Sequence, residues 1–152
     1  MGGTMPILLL AVAALASGAE PARVPGPRAD GAAWAVALEV PEAVARGKPA
    51  AARVVVTARA PYHVNLDYPM SFRPDAASRA AFSGPRVPLG ADALRVACKE
   101  HPDETCSIAA PLPFTAPAGG EARLAGTVSF SVCNPDRCII EKVMLSATAP
   151  SR

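Results

Sequence analysis

Two cysteines near the end of the sequence are the residues whose type and spacing most directly suggest chemistry. Cys133 and Cys138 belong to the stretch VCNPDRC, in which four turn-forming residues separate them. Such a pair either staples a hairpin as a structural disulfide or cycles between disulfide and dithiol in exchange with a second protein. On spacing alone we rank the structural staple first, the redox-active pair second and metal binding third.

The strand pattern around these cysteines predicts that they face each other. In Glu121–Cys133 apolar residues alternate with small polar ones, which is the two-residue period of a strand with one buried face. If Asn134–Arg137 forms a four-residue hairpin loop, Cys133 lies opposite Cys138 on the less apolar face. A disulfide can form at that separation, but closing so short a loop stabilises the fold by only about 2 kcal/mol.

Thiol–disulfide exchange also requires an accessible thiolate whose pKa is lowered by its surroundings. Arg137 and Lys142 lie close enough in sequence to favour a thiolate at Cys138, whereas Asp136 opposes it. The sequence leaves this electrostatic balance open.

A zinc site would have to recruit His101 or all four cysteines of the chain. The cysteine spacings are C-x4-C and C-x7-C, and neither is the short knuckle that is typical of zinc ligands. We therefore predict no metal ligand and no cofactor.

The beginning of the chain has the pattern of a secretory signal peptide. Pro6–Ala16 is an apolar run of eleven residues, too short to span a bilayer, and the small residues Ser17–Ala19 follow it. We predict a signal peptide at residues 1–19 and an exported mature protein. We predict no membrane span in the mature chain, because no later apolar run approaches the required length.

Export changes how the cysteines are interpreted. An even number of cysteines in an oxidising compartment favours disulfides over free thiols, and this chain has four. Of the three possible pairings we favour the local one, which joins Cys98 to Cys106 as a structural disulfide and Cys133 to Cys138.

The composition argues for one all-β domain and against nucleic-acid binding. The 152 residues carry a formal charge of +2, only 18% are charged, and no window combines clustered Lys or Arg with aromatic residues. Short strand patterns among 17 prolines, without a sustained helical period, are typical of an antiparallel sandwich. We predict a flexible leader at 20–31, rich in Pro, Gly and charge, and a sandwich domain at 32–150.

Individual strands are predicted where β-branched or alternating residues lie between prolines and glycines. The segment Asp75–Phe82 is interpreted as one helical turn or a loop. The predicted strands are Trp34–Val40, Ala52–Ala60, His63–Asn65, Met70–Arg73, Leu94–Ala97 and Leu112–Thr115, followed by the two strands of the terminal hairpin.

Two stretches, SVCNPDRCIIEKVML near the C-terminal end and PYHVNLDYPMSF upstream, resemble the N-terminal periplasmic domain of the thiol:disulfide interchange protein DsbD. The resemblance covers most of the mature chain in order and approximate spacing. It implies an immunoglobulin-like antiparallel β-sandwich whose active cysteines lie around a hairpin near its end. It also implies a periplasmic protein that takes electrons from a thioredoxin-like or membrane thiol–disulfide donor and passes them to a periplasmic protein acceptor.

By position, Cys133 and Cys138 match the catalytic cysteine pair of that family. Tyr62 and His63 fall where the family has aromatic residues beside the active disulfide, so the resemblance implies that they line the site. Ordinary strand-end packing is the competing interpretation for both. Of the two sulfurs we favour Cys138 as the one that is attacked.

The chain departs from the family in three places. Ile139-Ile140-Glu141 replaces the family's Pro pair and acidic residue, so no role is predicted for Glu141. The family's aromatic cap loop has no clear match, and CKEHPDETC stands in that region with the second cysteine pair. No thioredoxin-like CxxC is present, so we expect a separate protein to supply the electrons.

The leading hypothesis is a stand-alone thiol:disulfide interchange domain, a component of a thiol:disulfide oxidoreductase, in which Cys133 and Cys138 exchange electrons with partner proteins. The alternative is a non-enzymatic β-sandwich that binds a partner through its strand edges or end loops, with both disulfides structural. A metal-binding periplasmic protein ranks third.

Overall fold

A computed structural model provides the structure of residues 22–24 and 26–152. Every regular element within these residues is a β-strand. In chain order the strands are β1 (Arg23–Val24), β2 (Arg28–Asp30), β3 (Trp34–Pro41), β4 (Pro49–Ala58), β5 (His63–Val64), β6 (Ser71–Pro74), β7 (Val87–Pro88), β8 (Leu94–Ala97), β9 (Thr105–Thr115), β10 (Ala122–Cys133) and β11 (Cys138–Ala149).

The strands form two sheets in which neighbouring strands pair antiparallel. The first sheet has the order β1-β3-β4-β9-β8, and β2 also pairs with β3. The second sheet has the order β11-β10-β6-β7, and β5 pairs with the end of β10. The predicted all-β class is thus confirmed, while the immunoglobulin-like assignment stays a prediction.

An apolar core lies between the two sheets. Trp34 of the first sheet meets Phe130 of the second edge-to-face, with ring centroids 5.2 Å apart. Because side chains alternate along a strand, β4 and β9 each bury every second residue over most of their length. Each fully buried aliphatic or Phe side chain stabilises the fold by about 1.5–3 kcal/mol. Fully buried members include Leu38, Val54, Leu112, Phe72, Val128 and Phe130.

The terminal hairpin has the register that the alternation predicts. Cys133 pairs with Cys138, Val132 with Ile139, and Val128 with Val143 across β10 and β11. The apolar face of β10 is buried in the core, and its small polar face points outward. This register brings the two cysteines together at the loop end of the hairpin.

Strand β9 is much longer than the predicted Leu112–Thr115, although Pro111 and Pro113 interrupt its sequence. The backbone N–H of Thr115 donates to the Ala81 carbonyl, on the side of β9 that faces away from β4. Backbone N–H groups of alternate residues in a strand point to the same side. The nitrogens of Pro111 and Pro113, four and two residues before Thr115, therefore also point away from β4. On that side β8 does not reach the prolines, because its pairing with β9 extends no further than Leu94 with Ala109. The missing N–H groups therefore cost no bond of the ladder.

The predicted flexible leader at 20–31 differs from the structure over the residues that are described. Both β1 and β2 pair with β3 at the edge of the first sheet. The chain at Gly26 lies against the Leu38 carbonyl oxygen, where no Cβ would fit, and the Pro27 carbonyl accepts a hydrogen bond from Leu38 N. Short strands of this kind carry no period that a sequence pattern can detect.

The predicted signal peptide, residues 1–19, lies outside the described residues. Within residues 22–24 and 26–152, no helix has the length and apolar character needed to cross a membrane.

We expect Gly126→Ala to destabilise the fold by about 2 kcal/mol, because its methyl group would overpack a filled interior. The added Cβ would lie against the Arg73 carbonyl oxygen and 2.6 Å from Phe72 Cζ. Gly119→Ala is the matched control, since its Cβ would meet nothing within 4 Å. Urea unfolding with both disulfides intact measures the difference. Equal midpoints for the two variants would contradict the close approach at Gly126.

Candidate functional site

The Cys133–Cys138 disulfide closes the loop end of the β10–β11 hairpin. The two Cα atoms lie 4.0 Å apart. The loop is fixed by Asn134, whose N–H donates to the Arg137 carbonyl at 2.8 Å. Its side-chain Oδ1 accepts from the N–H groups of Asp136 at 2.9 Å and Arg137 at 2.8 Å. The backbone therefore holds the sulfurs together whether or not the bond between them exists.

The two cysteines of this bond differ in exposure. Cys133 ends an interior strand, is flanked by β11 and β5, and is only 7% exposed. Cys138 begins β11, at the edge of the second sheet, and is exposed. A thiolate from another protein must approach the attacked sulfur in line with the S–S bond. Of the two cysteines Cys138 is the more exposed, and attack at its sulfur stays a prediction.

Both residues that the resemblance implied as lining the site lie beside this disulfide. His63 of β5 is the register partner of Cys133, which puts the two side chains on one face of the sheet. Tyr62 packs against the core, and its hydroxyl oxygen accepts a hydrogen bond from Arg137 Nη2 at 3.1 Å. Three side chains from two separated segments of the chain therefore lie near this disulfide.

The second disulfide joins Cys98 to Cys106, with Cα atoms 4.8 Å apart. The loop that it closes carries Glu104, whose Oε2 lies 3.5 Å from Nδ1 of His63. The Glu104 carbonyl accepts from Cys98 N at 2.9 Å, so the loop is also held by its backbone. This disulfide therefore anchors a carboxylate beside the histidine that adjoins Cys133.

Glu104 is the site residue that the sequence did not predict. The only available signal was its position inside the short loop between two cysteines expected to pair. Nothing in the sequence indicated that this loop meets β5, because that contact depends on how β8 and β9 lie against β5 in three dimensions.

The residues that follow β5 form a turn. Asn65 Oδ1 accepts from the Asp67 N–H at 3.1 Å, and the Tyr68 N–H donates to the Asn65 carbonyl at 3.4 Å. Asn65 N also donates to the Ser131 carbonyl at 2.9 Å, which extends the attachment of β5 to β10. The turn fixes the segment that carries Tyr62 and His63.

All four cysteines are in disulfides, and residues 22–24 and 26–152 hold no group of three or more His, Cys, Asp or Glu placed to bind a metal ion. His101, the histidine considered as a zinc ligand, is exposed in the loop of the second disulfide.

The chain matches no protein-family model, no curated protein and no solved structure. The site therefore has to be interpreted from its own geometry and from the motifs of the sequence.

We expect the exposure difference to appear as a difference in reactivity between two single-cysteine forms of the hairpin. Reduced Cys133→Ser, which keeps the exposed Cys138 thiol, should form a mixed disulfide with oxidised glutathione at least about tenfold faster than Cys138→Ser does. Mass spectrometry of quenched samples gives both rates, and circular dichroism checks that both variants are folded. Equal rates, or a faster reaction at Cys133, would contradict attack at Cys138.

Proposed function

We propose that this chain is an exported thiol:disulfide interchange domain in which Cys133 and Cys138 cycle between disulfide and dithiol. The observation that carries the proposal is the one-sided disulfide, with Cys138 open to a partner and Cys133 enclosed beside His63. A bond that only stapled the hairpin would add little, because Asn134 and the strand pairing already close the loop.

The exchange consists of two successive thiol–disulfide displacements. A thiolate of a partner dithiol attacks Sγ of Cys138, the Cys133–Cys138 bond breaks, and Cys133 leaves as a thiolate that takes up a proton. The second thiolate of the partner then attacks its own sulfur in the mixed disulfide and releases Cys138. Two electrons pass from the partner, which becomes a disulfide, to this chain, which becomes a dithiol. The reverse sequence reduces a disulfide in an acceptor protein.

His63 and Glu104 lie where they can support this step. The leaving Cys133 thiolate is buried, and burying an unpaired anion is unfavourable. The imidazole of His63, on the same face of the sheet as Cys133, is placed to donate a hydrogen bond to that anion. The Glu104 carboxylate, with its Oε2 3.5 Å from Nδ1 of His63, orients the imidazole ring.

Arg137 and Tyr62 shape the open side of the bond. Arg137 precedes the attacked cysteine, and its guanidinium is bound to the Tyr62 hydroxyl, which keeps the cation close to the hairpin. A fixed positive charge beside Cys138 favours an incoming thiolate and, in the reduced protein, the thiolate of Cys138 itself.

The location and the partners in this proposal come from the sequence. The signal-peptide pattern at residues 1–19 and the resemblance to the DsbD N-terminal domain support a periplasmic protein. Its electrons would come from a thioredoxin-like or membrane thiol–disulfide donor and go to a periplasmic protein acceptor. The alternative is a binding module with two structural disulfides, and the next prediction separates the two.

We expect the two disulfides to have different reduction potentials. An exchanging Cys133–Cys138 bond should lie well above about −300 mV, and the structural Cys98–Cys106 bond should lie below that value. Equilibration in defined thiol buffers, followed by alkylation and peptide mapping, gives each potential in the same sample. If both bonds lie below about −300 mV, the exchange function is wrong and the binding-module alternative stands.

We expect His63→Gln to slow mixed-disulfide formation at Cys138, because the variant removes the imidazole that lies beside the leaving Cys133 thiolate. The measurement is the rate with one small thiol, relative to the rate of the wild type. Glu104→Gln, which removes the carboxylate 3.5 Å from that imidazole, should change the rate in the same direction. His101→Gln, in the loop of the second disulfide, is the matched control. A rate for His63→Gln equal to that of the wild type would rule out a role for His63 in the exchange.

A further inference from the structure

A groove on the outer face of the second sheet is lined by positive charge and hydroxyl groups, and we call it the cationic groove. It has a volume of about 280 Å³. Arg86 Nε donates to Ser71 Oγ at 3.2 Å, which holds one cation over the groove although Ser71 itself is buried. Besides Tyr68, the groove is lined by Ser71, Arg73, Arg86, Thr127, Ser129 and Lys142.

The cationic groove and the disulfide lie on the same face of the sheet. Cys138 and Lys142 are both on the outward-facing side of β11, and Ser129 pairs with Lys142 as Cys133 pairs with Cys138. Lys142 lies four positions along the strand from Cys138, which corresponds to about 13 Å. Between them Ile140 is 60% exposed and offers an apolar contact on the same face.

The charge of the groove has no counterpart in the described chain. Within residues 22–24 and 26–152, no carboxylate forms an ion pair with Arg73, Arg86 or Lys142. Glu141 adjoins Lys142 in sequence, but it lies on the other face of β11, opposite Phe130. Three cations with hydroxyl donors between them form a site for the oxygens of an anion.

We infer that the cationic groove docks an acidic, extended segment of the partner protein while that partner's cysteine reacts at Cys138. The inference rests on the proposed function, since it names the chemistry of the exchange partner. The groove and Cys138 share the outward face of β11, so a chain attached to the reacting cysteine can continue along that face toward the groove. An extended peptide advances about 3.3–3.6 Å per residue, which puts an Asp or Glu about four residues from its cysteine beside Lys142.

Electrostatic docking of this kind acts mainly on the rate of association and on the choice of partner. The cations are exposed, and each exposed ion pair contributes only about a 1.5- to 5-fold effect. We therefore expect acidic partners to react about fivefold faster than neutral ones, and the preference to disappear at high ionic strength because salt screens exposed charges.

The test uses two synthetic peptides that each contain one cysteine and differ only at the fourth and fifth residues from it, which are Asp-Glu in one and Asn-Gln in the other. The measured quantity is the rate of mixed-disulfide formation with the oxidised protein, divided by the rate of the same peptide with 2-hydroxyethyl disulfide. Because that reference disulfide carries no charge, the division corrects for a difference in the reactivity of the two peptide thiols without adding an electrostatic bias. We expect a ratio of about five for the acidic over the neutral peptide in the wild type.

In the variant that combines Arg73→Gln with Lys142→Gln, the ratio should fall to about one. These two side chains make no hydrogen bond within the described residues, so their loss should leave the fold intact. Lys142→Glu alone, which reverses a charge, should lower the ratio of acidic to neutral peptide further. Arg123→Gln is the matched control. It removes an exposed cation from the same face of β10, ten residues from Cys133. A ratio that stays near five in the double variant, or falls equally in Arg123→Gln, overturns the inference.

A second measurement separates this inference from the proposed function. The same peptides with serine in place of cysteine cannot react, and their binding is followed by chemical shifts of the groove residues. If the acidic serine peptide binds and the double variant abolishes the binding, the groove is established even where no peptide forms a mixed disulfide. If both cysteine peptides react at equal normalised rates, exchange is supported and the docking groove is not.

Discussion

The antiparallel register between β10 and β11 is the constraint on which the remainder of the structure depends. Side chains on a strand alternate with a period of two, so a slip of one residue would exchange the two faces of the hairpin. Phe130 and Val128 would then leave the core, and Cys133 would enter it. The burial of Phe130 against Trp34 thus fixes the register, and the same register places the sulfur atoms opposite each other on the outer face.

The short strand β5 turns this hairpin into a site with distinct sides. By pairing with the end of β10, it makes Cys133 an interior position and leaves Cys138 at the sheet edge. It also carries His63 to the enclosed sulfur, and the loop of the second disulfide approaches the same histidine from β9. The electrostatic environment of one sulfur is consequently built by three segments that are far apart in sequence.

Some of this arrangement could be predicted from the sequence, and the reasons differ from element to element. The hairpin register followed from the alternation in β10, because burial of one face leaves a single consistent pairing. The length of β9 could not be predicted, because a proline on the unpaired side of a strand looks the same in sequence as a proline that ends it. Glu104 was missed because its contact with His63 is set by the packing of separate strands. The strands at Arg23–Val24 and Arg28–Asp30 were missed because an edge strand of two or three residues has no measurable periodicity.

The local pairing of the four cysteines has a consequence for how the protein matures. The disulfides join residues only 8 and 5 positions apart, so each ring closes within a segment shorter than any long strand of the fold. Loops of this size sample their closed forms on a timescale of about 10–100 ns, far faster than long-range sheet pairing. Each bridge can thus be oxidised within its own segment, before the sheets assemble. The local pairing therefore separates formation of the disulfides from assembly of the fold, whereas interleaved disulfides would make each depend on the other.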